Sequence, residues 1–125
     1  MVSPERKDGR SAKRILVSLP VHIEEHDAHR KVSRELTHSE SVSEIGAGFF
    51  VNRLFEVGQI VLLKLPLAPE LRRYNFEDDL YEVWAVVRHC HRNDRGKTSH
   101  FHIGVAFIGD APPPSYRNNP KTIYV

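Results

Sequence analysis

Apolar residues at every second position restrict this chain more than any other feature. Ile15, Val17, Leu19, Val21 and Ile23 alternate with Leu16, Ser18, Pro20, His22 and Glu24, the period of a strand with one buried face. Phe101, Ile103, Val105 and Phe107 repeat the pattern in a run over residues 98–108. Between them lie a more polar run at 29–38 marked by Val32 and Leu36, a run at 48–53, a dense apolar run at 59–67 and a long run at 80–91 carrying Val83, Trp84, Ala85, Val86 and Val87. Six strand-length segments at short spacing, with almost no helical periodicity, predict an all-β barrel or sandwich. Pro20 removes a ladder donor and predicts an edge or a bulge in the first strand. Residues 25–28, 55–58 and 93–96 read as turns. Residues 66–79 break the strand pattern, and Pro69 there can open one helical turn.

The two ends differ from this middle. Arg6, Lys7, Arg10, Lys13 and Arg14 crowd the first fourteen residues against only Glu5 and Asp8, the composition of a mobile basic arm. Pro112, Pro113, Pro114 and Pro120 predict an extended tail. The expected division is an N-terminal arm at 1–9, a β domain at 10–109 and a tail at 110–125. A length of 125 residues with 40% hydrophobic and 27% charged content fits one ordinary soluble domain. The net charge of +2 is small for a partner of long nucleic acid, yet a small anion needs only a local cluster. The single cysteine, Cys90, excludes an internal disulfide and a cysteine-rich zinc site and fits a reducing compartment. No apolar leader and no run of ~18 apolar residues stands in the sequence, so a cytoplasmic protein without membrane insertion is expected.

The stretch Ser41-Val42-Ser43-Glu44-Ile45-Gly46-Ala47-Gly48 is too short for a helix and too rich in glycine for a strand interior. It reads as a turn between strands. Its hydroxyls can bond local backbone or a ligand, and its glycines let another molecule approach the backbone. Paired carboxylates, a Ser-His-Asp pattern and a phosphate loop are all missing, so an enzyme is not expected. His89 and His91 share one strand face, as do His100 and His102. A hairpin turning about Arg95-Gly96 sets His89 opposite His102 and His91 opposite His100, an outward imidazole ladder rather than a metal site. Arg72 and Arg73 read as a solvated loop face, Trp84 as a barrel residue and Cys90 as a plain thiol.

Arg10-x-x-x-Arg14 precedes the first strand, Ser41-x-Ser43-x-x-Gly46 follows the second, and Ile103-Gly104-Val105-Ala106-Phe107 closes the last. In order and spacing these resemble the PilZ domain, the bacterial receptor domain for cyclic di-GMP, whose signatures are RxxxR and (D/N)xSxxG. The resemblance spans about residues 10–109. It implies a six-stranded antiparallel β-barrel without catalytic activity or cofactor, which binds cyclic di-GMP and passes the signal to a partner protein. Carried over by motif, the ligand residues are Arg10, Arg14, Ser41, Ser43 and Gly46. Guanidinium suits such a ligand, as a fork onto phosphate or onto guanine O6 and N7. Ser41 stands where the family has Asp or Asn. Losing a charged or bidentate bond costs about 1.5–3 kcal/mol, or one to two orders of magnitude in affinity. The runner-up reading is therefore a degenerate module that binds no nucleotide and serves as a protein-interaction adaptor.

Overall fold

The computed structural model describes residues 14–26, 32–95 and 98–112; the expected arm at 1–9, Arg10 and most of the expected tail lie outside them. Seven antiparallel strands follow one another: β1 (Ile15–Leu16), β2 (Pro20–His26), β3 (Val32–Val42), β4 (Gly46–Val51), β5 (Ile60–Leu65), β6 (Tyr81–Arg95) and β7 (Thr98–Gly109). A single 3-10 turn, Pro69–Leu71, stands between β5 and β6, where Pro69 was expected to open one. The spatial order β3-β2-β5-β6-β7-β4, with β4 returning to pair β3, closes a six-stranded barrel, and β1 is an extra strand on β3. Closure leaves the six barrel strands paired on both sides over part of their length, which removes long open edges. Alternation sends Val21, Ile23, Phe49, Val51, Leu63, Leu65, Val83, Ala85, Val87, Ile103 and Val105 into one buried core. Each large apolar side chain there stabilises by roughly 1.5–3 kcal/mol.

The first apolar run is two strands rather than one. The chain leaves the ladder at residues 17–19, just before Pro20, and Ser39 of β3 fills the gap. Its hydroxyl donates to the Val17 carbonyl at 2.5 Å and accepts the Leu19 amide at 2.9 Å. The second run extends further than its apolar marks suggested, to Val42, and Leu36 is 79% exposed rather than buried. The polar residues of β3 have the structural task instead. β3 pairs β4 only between Ser39 and Val42 on its own side. Beyond that, Thr37 Oγ1 donates to the Phe50 carbonyl at 2.5 Å and Glu35 Oε2 accepts the Asn52 amide at 2.8 Å. Side chains thus continue the barrel seam where the backbone ladder stops.

Two further expectations, the histidine register and the setting of Arg72, need correction. β6 pairs with β7 from Arg95 opposite Thr98, so His91 stands opposite His102, Asn93 opposite His100 and His89 opposite Gly104. Arg72 is no solvated loop residue: it is 5% exposed, and its guanidinium donates to the carbonyls of Leu67, Asn75, Asp78 and Asp79 at 2.6–3.1 Å. Trp84 lies outside the main core, packed on a second small cluster with Ile60, Val86, Ala106 and Ile108. Arg73 is exposed, 3.5 Å from Glu44, and Cys90 is a half-buried free thiol against the core.

Candidate functional site

Side chains are nearly missing where β4 runs beside β7. Gly46 pairs with Ala106 and Gly48 with Gly104. Their neighbours Ala47, Phe49, Ile103 and Val105 belong to the core, so period two turns these four small residues to the outer face. They floor a cavity of about 210 Å³ that Arg14, Arg88, His89 and His102 border. That volume is below the roughly 300–1,000 Å³ of a pocket enclosing a drug-sized molecule. The depression therefore takes one part of a larger ligand, such as a base or a phosphate.

The corner leading into this floor is shorter than the sequence suggested. Ser41 and Val42 end β3, Gly46 begins β4, and only residues 43–45 lie between strands. Ser43 holds the corner. Its amide donates to the Gly46 carbonyl at 2.8 Å, and its hydroxyl accepts the Ile45 amide at 3.2 Å and reaches the Gly46 carbonyl at 3.4 Å. Ser43 and Ser41 are each 3% exposed, so neither presents its hydroxyl to the open surface of the cavity. Ser41 pairs with Leu16 on one side and Gly48 on the other, one strand away from the floor. Arg14, immediately before β1, comes to the cavity that Gly46 floors. Of the five expected ligand residues, Arg14 and Gly46 thus line the cavity, Ser43 holds its corner and Ser41 lies in the adjoining strand.

Gly46 is required by the backbone. A Cβ at this position would collide with the Val105 carbonyl oxygen, which can retreat only if β7 shifts. Gly46→Ala is expected to destabilise by about 2 kcal/mol, within the range for overpacking, read as a lower urea midpoint at unchanged slope. A change under about 0.5 kcal/mol, the ordinary surface range, would contradict this close approach.

The far wall was not foreseen from the sequence. A register shift between Val87 and His89 makes Arg88 an extra residue in β6. Such a bulge re-aims side chains: Val87 is in the core, while Arg88 and His89 both border the outer cavity. A second shift, between Ser39 and Ser41, frees Glu40 in the same way. Glu40 Oε1 lies 3.0 Å from His102 Nε2, in a pair that passes beside Gly48, whose Cβ would stand 3.3 Å from that nitrogen. His89 lies flat over Gly104, where a Cβ would overlap its ring. The rings of His91, His89 and His102 form a row with centroids 4.9 and 5.5 Å apart and interplanar angles of 26° and 17°. Burial, then the charges of His102, His91 and Arg14, holds the His89 imidazole below its ordinary range. The signal for this wall was Gly104, since a lone glycine inside a strand pattern marks a bulge or a close approach. Among the described residues, no group of three or more His, Cys, Asp or Glu is gathered to hold a metal ion, and no helix is long and apolar enough to cross a membrane.

Known proteins share this architecture. The PilZ domain of Escherichia coli YcgR, solved with c-di-GMP, superposes with a TM-score of 0.55 at 14% identity, over 91% of this chain and 88% of that one. Bacillus subtilis MotI/DgrA, an inhibitor of motility, gives 0.55 at 20% identity over 77% of this chain and 42% of that one. K. pneumonia MrkH in its c-di-GMP complex gives 0.55 at 12% identity over 79% and 44%. The chain thus spans less than half the length of the latter two, and at these identities the likeness is one of fold. No curated protein sequence matches the chain. The PilZ domain family model matches residues 8–118, most of the sequence and all of the barrel, and with glycine-floored β4 and β7 beside Arg14 the chain belongs to the PilZ domain family.

Proposed function

We propose that this domain is a receptor for cyclic di-GMP rather than an enzyme. The observation that carries the reading is that the two halves of the sequence signature meet: Arg14 borders the cavity floored by Gly46 and Gly48. Membership of the PilZ family and the fold shared with the YcgR domain, which was solved with this nucleotide, support it. Cyclic di-GMP carries two phosphodiesters and two guanines. Arg14 and Arg88 offer planar forks for phosphate oxygens or a guanine edge, and Gly46 and Gly48 keep their own side chains out of the cavity floor. Arg10, four residues upstream of Arg14, joins when the nucleotide draws the N-terminal arm onto the cavity. The rearranged surface then engages a downstream protein partner, which makes the domain a cytoplasmic effector.

Titration calorimetry with cyclic di-GMP on the intact chain tests this, with saturable heat as the expected result. Ser41→Asp separates the reading from its rival, a module whose nucleotide site has lapsed and which acts as an adaptor. The burial of Ser41 at 3% exposure is the observation favouring that rival. Restoring one charge-assisted bond is worth about 1.5–3 kcal/mol, so a weakened site gains roughly ten- to a hundredfold in affinity. A folded Ser41→Asp variant and a folded parent that both give no heat would leave the adaptor reading standing.

A further inference from the structure

The row of imidazoles along β6 and β7 has no part in the sequence signature, yet two of its members border the cavity. We propose that His89, braced by His102, forms a proton-accepting wall of the nucleotide site and that the nucleotide is taken up together with a proton. The inference rests on the receptor reading above and adds to it a regulation of the same site by pH.

The geometry first fixes where protons sit in the empty site. The Glu40 carboxylate is an acceptor only, so His102 Nε2 carries the proton of their 3.0 Å contact. When His102 Nδ1 is bare it accepts from His89 Nε2, 3.4 Å away. His89 therefore directs its Nε2–H toward His102 and keeps Nδ1 bare. Gly104, without a side chain, leaves the space in which this ring lies over the strand. A second proton can enter His89 at Nδ1 without breaking the chain of contacts that runs from Glu40 through His102.

Electrostatics then decide when that proton enters. The groups acting on His89 are Arg14 from the segment before β1, His91 on β6 and His102 on β7, and each disfavours its charged form. Arg88, its neighbour on β6, borders the same cavity and adds a further positive charge. The carboxylate in this row, Glu40, is engaged on the far side of His102. Burial acts in the same direction as the like charges, so the empty site holds His89 neutral at pH 7. A phosphodiester in the cavity reverses the sign of this surrounding, and an opposite charge nearby favours the protonated imidazole.

The sign of the linkage follows. His89 titrates below its ordinary value in the empty domain and higher in the complex. Between those two values the complex holds more protons than the free domain, so affinity rises as pH falls. One whole proton corresponds to about tenfold in affinity per pH unit, and partial uptake gives about three- to tenfold between pH 8 and pH 6. Neither a phosphodiester nor guanine changes its protonation over this range, so the effect belongs to the protein.

The test is titration of the intact chain with cyclic di-GMP at pH 6, 7 and 8, at constant ionic strength, in two buffers of different ionisation enthalpy. The wild type is expected to bind about three- to tenfold tighter at pH 6 than at pH 8, with heats that differ between buffers by the enthalpy of the proton taken up. His89→Gln is expected to lose both the pH slope and the buffer dependence, and His22→Gln, on β2, is expected to keep them. Imidazole titration of the wild type by NMR gives a readout that needs no variant to fold: the His89 midpoint moves up when nucleotide is added. Equal affinity at pH 6 and pH 8 with no buffer dependence overturns the proton coupling and leaves the receptor reading intact. A slope that survives in His89→Gln overturns the assignment to this residue. No binding at any pH overturns both.

Discussion

Arg72→Ala is expected to destabilise the domain by about 3 kcal/mol. One guanidinium holds the carbonyls of Leu67, Asn75, Asp78 and Asp79 and lies 5.5 Å from the Tyr81 ring. It is the organising centre of the long connection from β5 to β6. Hydrogen bonds from a charged donor are worth about 1.5–3 kcal/mol each when measured singly, and bonds sharing one donor group are not additive. Around 3 kcal/mol is a large share of the 5–15 kcal/mol that typical domains possess. Urea unfolding measures it. Arg72→Lys is expected to recover little, because an ammonium cannot present the planar fork that reaches four carbonyls. A loss below about 1 kcal/mol, or full rescue by lysine, would mean that the connection is held by other contacts. The 3-10 turn at Pro69–Leu71, for example, has backbone bonds of its own from Leu71 and Arg72.

Arg14→Ala is expected to lower affinity for cyclic di-GMP on the order of 100-fold while leaving the urea midpoint nearly unchanged. Arg14 is exposed beside the cavity, so its removal leaves the core intact. Losing one forked bond to phosphate or guanine costs about 1.5–3 kcal/mol, which is roughly ten- to a hundredfold. The removal of like charge beside His89 works in the opposite direction but is smaller, since it acts across solvent. Calorimetry at pH 7 reads the change. Binding within about twofold of the wild type would remove Arg14 from the site.

The two arginines show what a sequence can and cannot carry. The place of Arg14 beside the cavity was legible because the motif sets an arginine directly before the first strand. Arg72 looked solvated because its neighbours are polar and its acceptors are backbone carbonyls three to seven residues away. No residue type marks a carbonyl that a folded loop will turn inward. The barrel itself was readable from period two, since Val21, Ile23, Ile103 and Val105 bury as their alternation predicts. Leu36 shows the converse: a lone apolar residue in a polar strand does not mark its inner face, and Glu35 and Thr37 are the residues that bond to β4.

The histidine wall depended on register. Placing the hairpin turn one residue too early exchanges every partner along β6 and β7, because turn geometry sets register. The bulge at Arg88 then brings two consecutive side chains to one face, which strict alternation forbids. Both features lie in backbone hydrogen bonding, and Gly104 was their single mark in the sequence. Ser43 presents a similar lesson. Its identity was legible from the motif, while its use in holding the corner, rather than in facing the open cavity, follows from the contacts with Ile45 and Gly46.

The central claim is that the nucleotide lies on the outer face of β4 and β7, against a floor of glycine and alanine. Amide NMR during a titration with cyclic di-GMP tests it most directly. The amides of Gly46, Gly48 and Gly104 are expected to shift progressively to saturation, while those of Leu36 and Leu80, which line a separate groove with Pro20 and Lys64, hold their positions. Unmoved glycine amides at nucleotide concentrations that saturate the heat signal, or shifts confined to the groove beside Leu36, would contradict the account.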